Sequence, residues 1–162
     1  MKKLLAVLLC AGLLALPVFG AEATTQTVEV DGQSISFSMY TVYDKNGFAT
    51  NYVKLRDVAF ALRDTPGKFG VDYDGSTRVD TGEDYIPTWT EMTALPAQAT
   101  AENYRAVLTV DGEGCPMDAY LITAPGAAGG NFYFKLRDLG AAIGFTVGWS
   151  AERGVYIETQ TA

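Results

Sequence analysis

The 162-residue sequence predicts an α+β fold of two tandem repeats, each a small antiparallel β-sheet packed on one α-helix. Three observations carry that expectation. The stretch "YVKLRDVAFAL" from Tyr52 returns as "YFKLRDLGAAI" from Tyr133. An Asp-Gly pair precedes each copy at nearly the same distance, Asp31-Gly32 and Asp111-Gly112. Apolar periodicity then switches from two to about 3.6 at the same point of both copies, the change from strand to helix.

The elements follow in order. Residues 1–23 open with Lys2 and Lys3, continue with an apolar run from Leu4 to Val18 and end in small residues, the layout of a secretory signal peptide. Cleavage is expected after Ala23 or after Gly20. The run is shorter than the roughly 20 residues a membrane-spanning helix needs, and no second run follows, so a soluble exported protein is expected. Residues 24–85 form the first repeat. "TVEV" and "SISFSM" flank Asp31-Gly32, a hairpin signal because a primed two-residue turn needs positive φ. Ile35, Phe37 and Met39 alternate with Ser34, Ser36 and Ser38, which gives the second strand one apolar face. A short strand at Tyr52-Val53 leads into a helix whose Leu55, Val58, Ala59 and Leu62 fall on one stripe. "FGVDY" from Phe69 begins a last hairpin that turns at Asp74-Gly75.

Residues 86–103, rich in Thr, Ala and Pro, read as a linker. Residues 104–162 repeat the series, with the helix stripe at Leu136, Leu139, Gly140 and Ile143 and a hairpin turning between Ala151 and Gly154. A unit of this size buries little core alone, which favours close packing of the two copies into one pseudo-symmetric domain.

Composition narrows the chemistry. The formal charge is −7, and loss of Lys2, Lys3 and Glu22 with the leader takes it to −8. Such a surface disfavours nucleic acid and anionic lipid as partners. The chain has no histidine, which removes Ser-His-Asp triads, Cys-His pairs and His-based zinc or copper sites. Cys10 leaves with the leader, and Cys115 aligns with the apolar-face Ile35, the position of a small core residue more than of a nucleophile. No catalytic residue and no cofactor is therefore assigned.

Several stretches invite a site. Asp72, Asp74, Asp80 and Glu83 are spaced like the carboxylates of a calcium loop, but Thr77 stands where that loop's tight turn demands Gly. Tyr85 and Trp89, outside the repeat, are candidates for an exposed ligand-contacting pair. Tyr73 and Trp149 align with each other and are expected in the core. In "KLRD", Leu starts the apolar stripe and Asp57 or Asp138 sits in the first helical turn, where the helix dipole favours negative charge. The glycine-rich "APGAAGGN" leads into a strand and so builds no anion cradle.

Together, "NYVKLRDVAFAL", "KFGVDYDG" and "NFYFKLRDLGAAIGFTVGWSAERGVYIET" resemble the copper amine oxidase N-terminal-like, or stalk, domain of secreted proteins from Firmicutes. The resemblance covers nearly the whole chain after the leader and departs at Lys54 and Lys135, where the wider pattern often has Pro. It implies a non-catalytic extracellular accessory module. It does not imply copper chemistry, which needs histidines this chain lacks. The function expected is a secreted or envelope-associated spacer, adhesion or ligand-binding unit with an extracellular ligand, cell-wall component or protein as partner. A carboxylate-dependent cell-wall or carbohydrate hydrolase and a calcium-binding secreted protein are the alternatives.

Overall fold

The strands of the two copies interleave in one sheet. The computed structural model describes residues 18–160, so the expected leader lies outside the described residues up to position 17. The first half contains β1 (Val18–Val30), β2 (Gln33–Tyr43), β3 (Ala49–Lys54), α1 (Leu55–Leu62), β4 (Phe69–Tyr73) and β5 (Thr77–Thr81). The second contains β6 (Gln98–Val110), β7 (Glu113–Thr123), β8 (Asn131–Phe134), α2 (Leu136–Ile143), β9 (Thr146–Ser150) and β10 (Gly154–Glu158). Residues 98–103, expected as linker, are the first part of β6.

The expectation of an α+β fold with two sheets, each with its own helix, is corrected: the described residues are mostly β, ten strands with two short helices. A single ten-stranded mixed sheet runs β4-β5-β6-β7-β8-β3-β2-β1-β10-β9. Each half's final hairpin joins the other half. β5 lies parallel to β6, with Val79 opposite Val110, and β10 lies parallel to β1, with Ile157 opposite Val30. β3 and β8 meet antiparallel at the centre. The strand order is therefore symmetric about a pseudo-two-fold. Periodicity dictates which face of a strand is buried, but the choice of neighbouring edge depends on contacts distant in sequence.

Local chemistry made the hairpins as expected. Asp31 and Gly32 have φ of 46° and 85°, and Asp111 and Gly112 have 48° and 86°, so both turns carry two positive φ values. Asp tolerates this region better than most residues because its short side chain finds local partners.

The sheet has a core on each face. Phe37, Val53, Val58, Leu62, Phe69, Leu108, Leu139 and Ile157 belong to the larger one, beneath the two helices and drawn from both halves. Pairing of β1 with β6 over residues 18–22 and 98–102 closes β6-β7-β8-β3-β2-β1 into a ring, and the smaller core packs on the other face of these strands. Parity explains the division. Phe37 and Met39 face the helices, whereas Tyr40 and Val42 on the same strand face the other way. Four tyrosines dominate the smaller core: Tyr40 is in register with Tyr52 and Tyr120 with Tyr133. Across the halves, Tyr40 meets Tyr133 edge to face at 5.3 Å and Tyr52 meets Tyr120 at 4.9 Å, arrangements that aromatic quadrupoles favour.

Both helix stripes face the core, Leu55, Val58, Ala59 and Leu62 completely and Leu139, Gly140 and Ile143 in α2, with Leu136 half-buried. Cys115 is half-buried and packs against the larger core, as its alignment with Ile35 suggested. Among the described residues no helix is long and apolar enough to cross a membrane.

Tyr73 and Trp149 correct a second expectation, being 72 % and 64 % exposed. They share parity with inward-facing residues, yet burial decays along β4 from Phe69 through Val71 to Tyr73. The outer hairpins run past the layer that covers their starts.

Candidate functional site

Among the described residues, the start of α1 is where the two halves differ. Lys54 precedes the helix in extended conformation, φ −71° and ψ 139°, and Asp57 occupies the first turn. Residues 84–97, which have no described counterpart in the second half, fold back over this turn. Tyr85 anchors them: its ring is buried and its hydroxyl donates to Glu91 Oε1 at 2.5 Å. The Thr88 amide and hydroxyl donate to the same oxygen at 2.9 and 2.6 Å, and the Thr90 amide donates to Oε2 at 3.1 Å. Trp89 and Met92 adopt positive φ, 64° and 55°, on either side of this knot. A non-glycine residue there costs roughly 1 kcal/mol or more, so the glutamate's bonds hold the segment in a shape its backbone resists.

The knot buries a second carboxylate. Asp57 is inaccessible to solvent; its Oδ1 accepts the Met92 amide at 3.1 Å and faces Lys54 Nζ at 3.3 Å. Lys54 Nζ also donates to the Thr90 carbonyl at 3.3 Å. Oδ2 of Asp57 has no partner among the described residues. Burial pushes the Asp57 carboxyl above its ordinary range, against the pull of Lys54 and the Met92 amide. Glu91 goes the other way: burial raises it, but the bonds from Thr88 and Tyr85 outweigh that and bring it down to about 2. Burial, with the bond to Glu91, pushes Tyr85 up to about 12.

Beside this structure a cleft of about 700 Å³ opens between residues 90–96, the start of α1 and the β7–β8 loop. Lys54, Arg56, Thr93, Asn131 and the rings of Tyr73 and Phe132 line it. Tyr40 and Tyr133 reach it from the smaller core, and the Tyr40 hydroxyl donates to the Pro96 carbonyl at 2.9 Å. Gly130 keeps the loop tight against its own hairpin, since a Cβ there would stand 2.6 Å from the Ile122 carbonyl oxygen. Tyr73 and Phe132 are the exposed aromatic members, so the cleft combines ring faces with amide, hydroxyl and charged groups.

The residues singled out from sequence fall elsewhere or separate. The guanidinium of Arg78 stands among Asp72, Asp74 and Asp80, at 2.9, 3.3 and 3.0 Å, and takes the place a cation would need. Glu83 does not reach Arg78; with Gly70, Asp84 and Asp111 it lines a second acidic cleft that Asp72 and Asp80 also border. Among the described residues no group of three Asp, Glu, Cys or His side chains is arranged to hold a metal ion. Tyr85 and Trp89 do not form an exposed pair: Tyr85 is 6 % exposed and Trp89 84 %. Sequence reasoning missed Lys54, Asp57, Asn131 and Phe132 as neighbours. "KLRD" marked a helix start, and nothing local says that residues 35 positions later return to cover it.

Compared with family models, curated proteins and solved structures, the chain gives no match in any of the three.

Proposed function

We propose that the chain is a secreted or envelope-associated, non-catalytic module of the copper amine oxidase N-terminal-like kind, and that it holds a hydroxyl-rich extracellular ligand, a glycan, in the cleft beside Lys54 and Asp57. The observation that carries the reading is the cleft's lining. Exposed rings of Tyr73 and Phe132 offer stacking faces, and Asn131, Thr93, Arg56 and Lys54 offer donors and acceptors. Export rests on the charged, then apolar, then small-residue order of the first 23 positions.

One observation favours a carboxylate-dependent hydrolase. Asp57 and Glu91 are driven in opposite directions, as an acid and its partner are in such enzymes. Glu91 is turned into its own segment by bonds from Tyr85, Thr88 and Thr90, however, and Asp57, inaccessible to solvent, meets a substrate only if that segment lifts.

Titration of the protein with soluble cell-wall glycan fragments, followed by calorimetry and product analysis, separates the readings. The proposal expects saturable binding that weakens at least about tenfold in Phe132→Ala and Asn131→Ala, with the fragments recovered intact. Binding indifferent to both substitutions, or no binding, contradicts it. Cleavage abolished by Asp57→Asn establishes the hydrolase.

A further inference from the structure

The charges around the cleft at the start of α1 do not play equal parts. Lys54, Arg56, Asp57 and Asp72 line it. Lys54 and Asp57 answer each other at 3.3 Å, and Asp57 is inaccessible to solvent. Asp72 is held by the Arg78 guanidinium at 2.9 Å. Arg56, half-buried, is held by a neutral group instead. Its guanidinium donates to the Tyr85 hydroxyl at 3.5 Å, the outer limit of a hydrogen bond, and lies 6.0 Å from the centre of the Tyr85 ring. That hydroxyl keeps its proton, pushed up to about 12 by burial and the bond to Glu91. Glu91, reached through the hydroxyl, has both oxygens committed to Tyr85, Thr88 and Thr90. Tyr85 therefore orients Arg56 on the cleft wall without cancelling its charge, and the bond to it uses one of a guanidinium's five N–H donors.

We infer that the ligand of this cleft is an acidic glycan, one whose sugar ring carries a carboxylate, and that Arg56 is the residue that selects it. The inference rests on the glycan reading of the cleft and adds the charge of the ligand to it. A planar guanidinium presents paired N–H groups that match the two oxygens of a carboxylate, whereas a sugar hydroxyl in the same place takes one bond to a neutral oxygen. Tyr73 and Phe132 supply ring faces for the sugar, and Thr93 and Asn131 supply partners for its hydroxyls. The overall charge of −7 works against any acidic ligand at long range, so selectivity comes from direct contact with Arg56 and not from steering.

The probes are the trimer of α-1,4-linked galacturonic acid and the same trimer with its carboxyls reduced to alcohols, each titrated calorimetrically into the full chain. The acidic trimer is expected to bind at least about tenfold more tightly than the reduced one. Arg56→Gln should bring the two within about twofold of each other, while the reduced trimer binds it as it binds the parent, which shows the cleft intact. Arg56→Lys, which keeps the charge and loses the planar fork, should restore only part of the preference. Equal affinity for the two trimers, both weakened by Phe132→Ala, overturns the inference and leaves the glycan reading standing. A preference for the acidic trimer that survives Arg56→Gln overturns it too, since the carboxylate is then read elsewhere. Binding of neither trimer also overturns it, and the titration with cell-wall fragments decides the glycan reading on its own.

Discussion

Asp111 accepts both the amide and the hydroxyl of Thr81, at 2.8 and 2.7 Å, where β5 of one half lies beside β6 of the other. The pseudo-two-fold repeats the arrangement: Asp31 accepts the Thr159 amide at 2.9 Å and its hydroxyl. The residue that shapes each hairpin turn thus also ties down the last strand of the opposite half. The Thr81 bonds hold the Asp111 carboxyl below its ordinary value of 3.8. A depressed carboxyl stabilises the fold above the unfolded-state pKa and loses that contribution as pH falls. Asp111→Asn, which tolerates the positive φ, should lower the Tm at pH 7, and the gap to the parent should close below about pH 3.8. Thermal melts across that range check it.

Glu91 and Asp57 should pull stability in opposite directions with pH. Glu91, held down to about 2 against an ordinary 4.5, stabilises the fold above pH 4.5 and loses this as pH falls toward 2. Glu91→Gln is expected to cost about 2–3 kcal/mol at pH 7 and almost nothing near pH 2. Asp57 is raised, so the unfolded chain releases its proton first and stability falls as pH rises above 3.8. Asp57→Asn keeps an acceptor for the Met92 amide and escapes that loss. It should lie within about 1 kcal/mol of the parent at pH 7, whereas Asp57→Ala leaves the Met92 amide and Lys54 without their partner and should cost more. Urea melts at several pH values measure both.

Gly140 marks a close approach that the other half does not make. A Cβ there would lie 2.6 Å from the Phe145 carbonyl oxygen, a backbone atom with little freedom, whereas Ala59 already carries its Cβ in a sealed site. Gly140→Ala should destabilise by about 1–3 kcal/mol despite alanine's better helix propensity. A denaturation midpoint below the parent's is the expected result.

The two expected cleavage points differ in what they remove. Cutting after Ala23 discards Ala21, which is 1 % exposed in the smaller core, and the Ala23 amide that donates to the Ala97 carbonyl at 2.9 Å. Cutting after Gly20 keeps both. On the proposed export, the secreted chain should begin at Ala21, and its intact mass decides.

Local features were legible in the sequence because their causes are local. Asp31-Gly32 and Asp111-Gly112 turn where only positive φ serves, the Ile35-Phe37-Met39 alternation reports one buried face, and the Leu55-Val58-Ala59-Leu62 stripe reports one helix. What stayed hidden depends on partners far along the chain. Val79 reads equally well beside Val110 or beside a strand of its own half, so the exchange of hairpins left no mark on periodicity. Asp57 and Asp138 are the same letter in the same motif. One is buried because residues 85–96 return over it, and only the structure shows that they do. Tyr73 and Trp149 have core parity but sit where the sheet has outrun its cover, and a parity rule cannot see where a layer ends.

The interleaving of the halves is the claim on which the cleft rests, and inter-strand NOEs test it most directly. The account predicts backbone NOEs between Val79 and Val110 and between Val30 and Ile157, in parallel register. NOEs linking β5 to β1, or β10 to β6, would instead place each hairpin on its own half and contradict it.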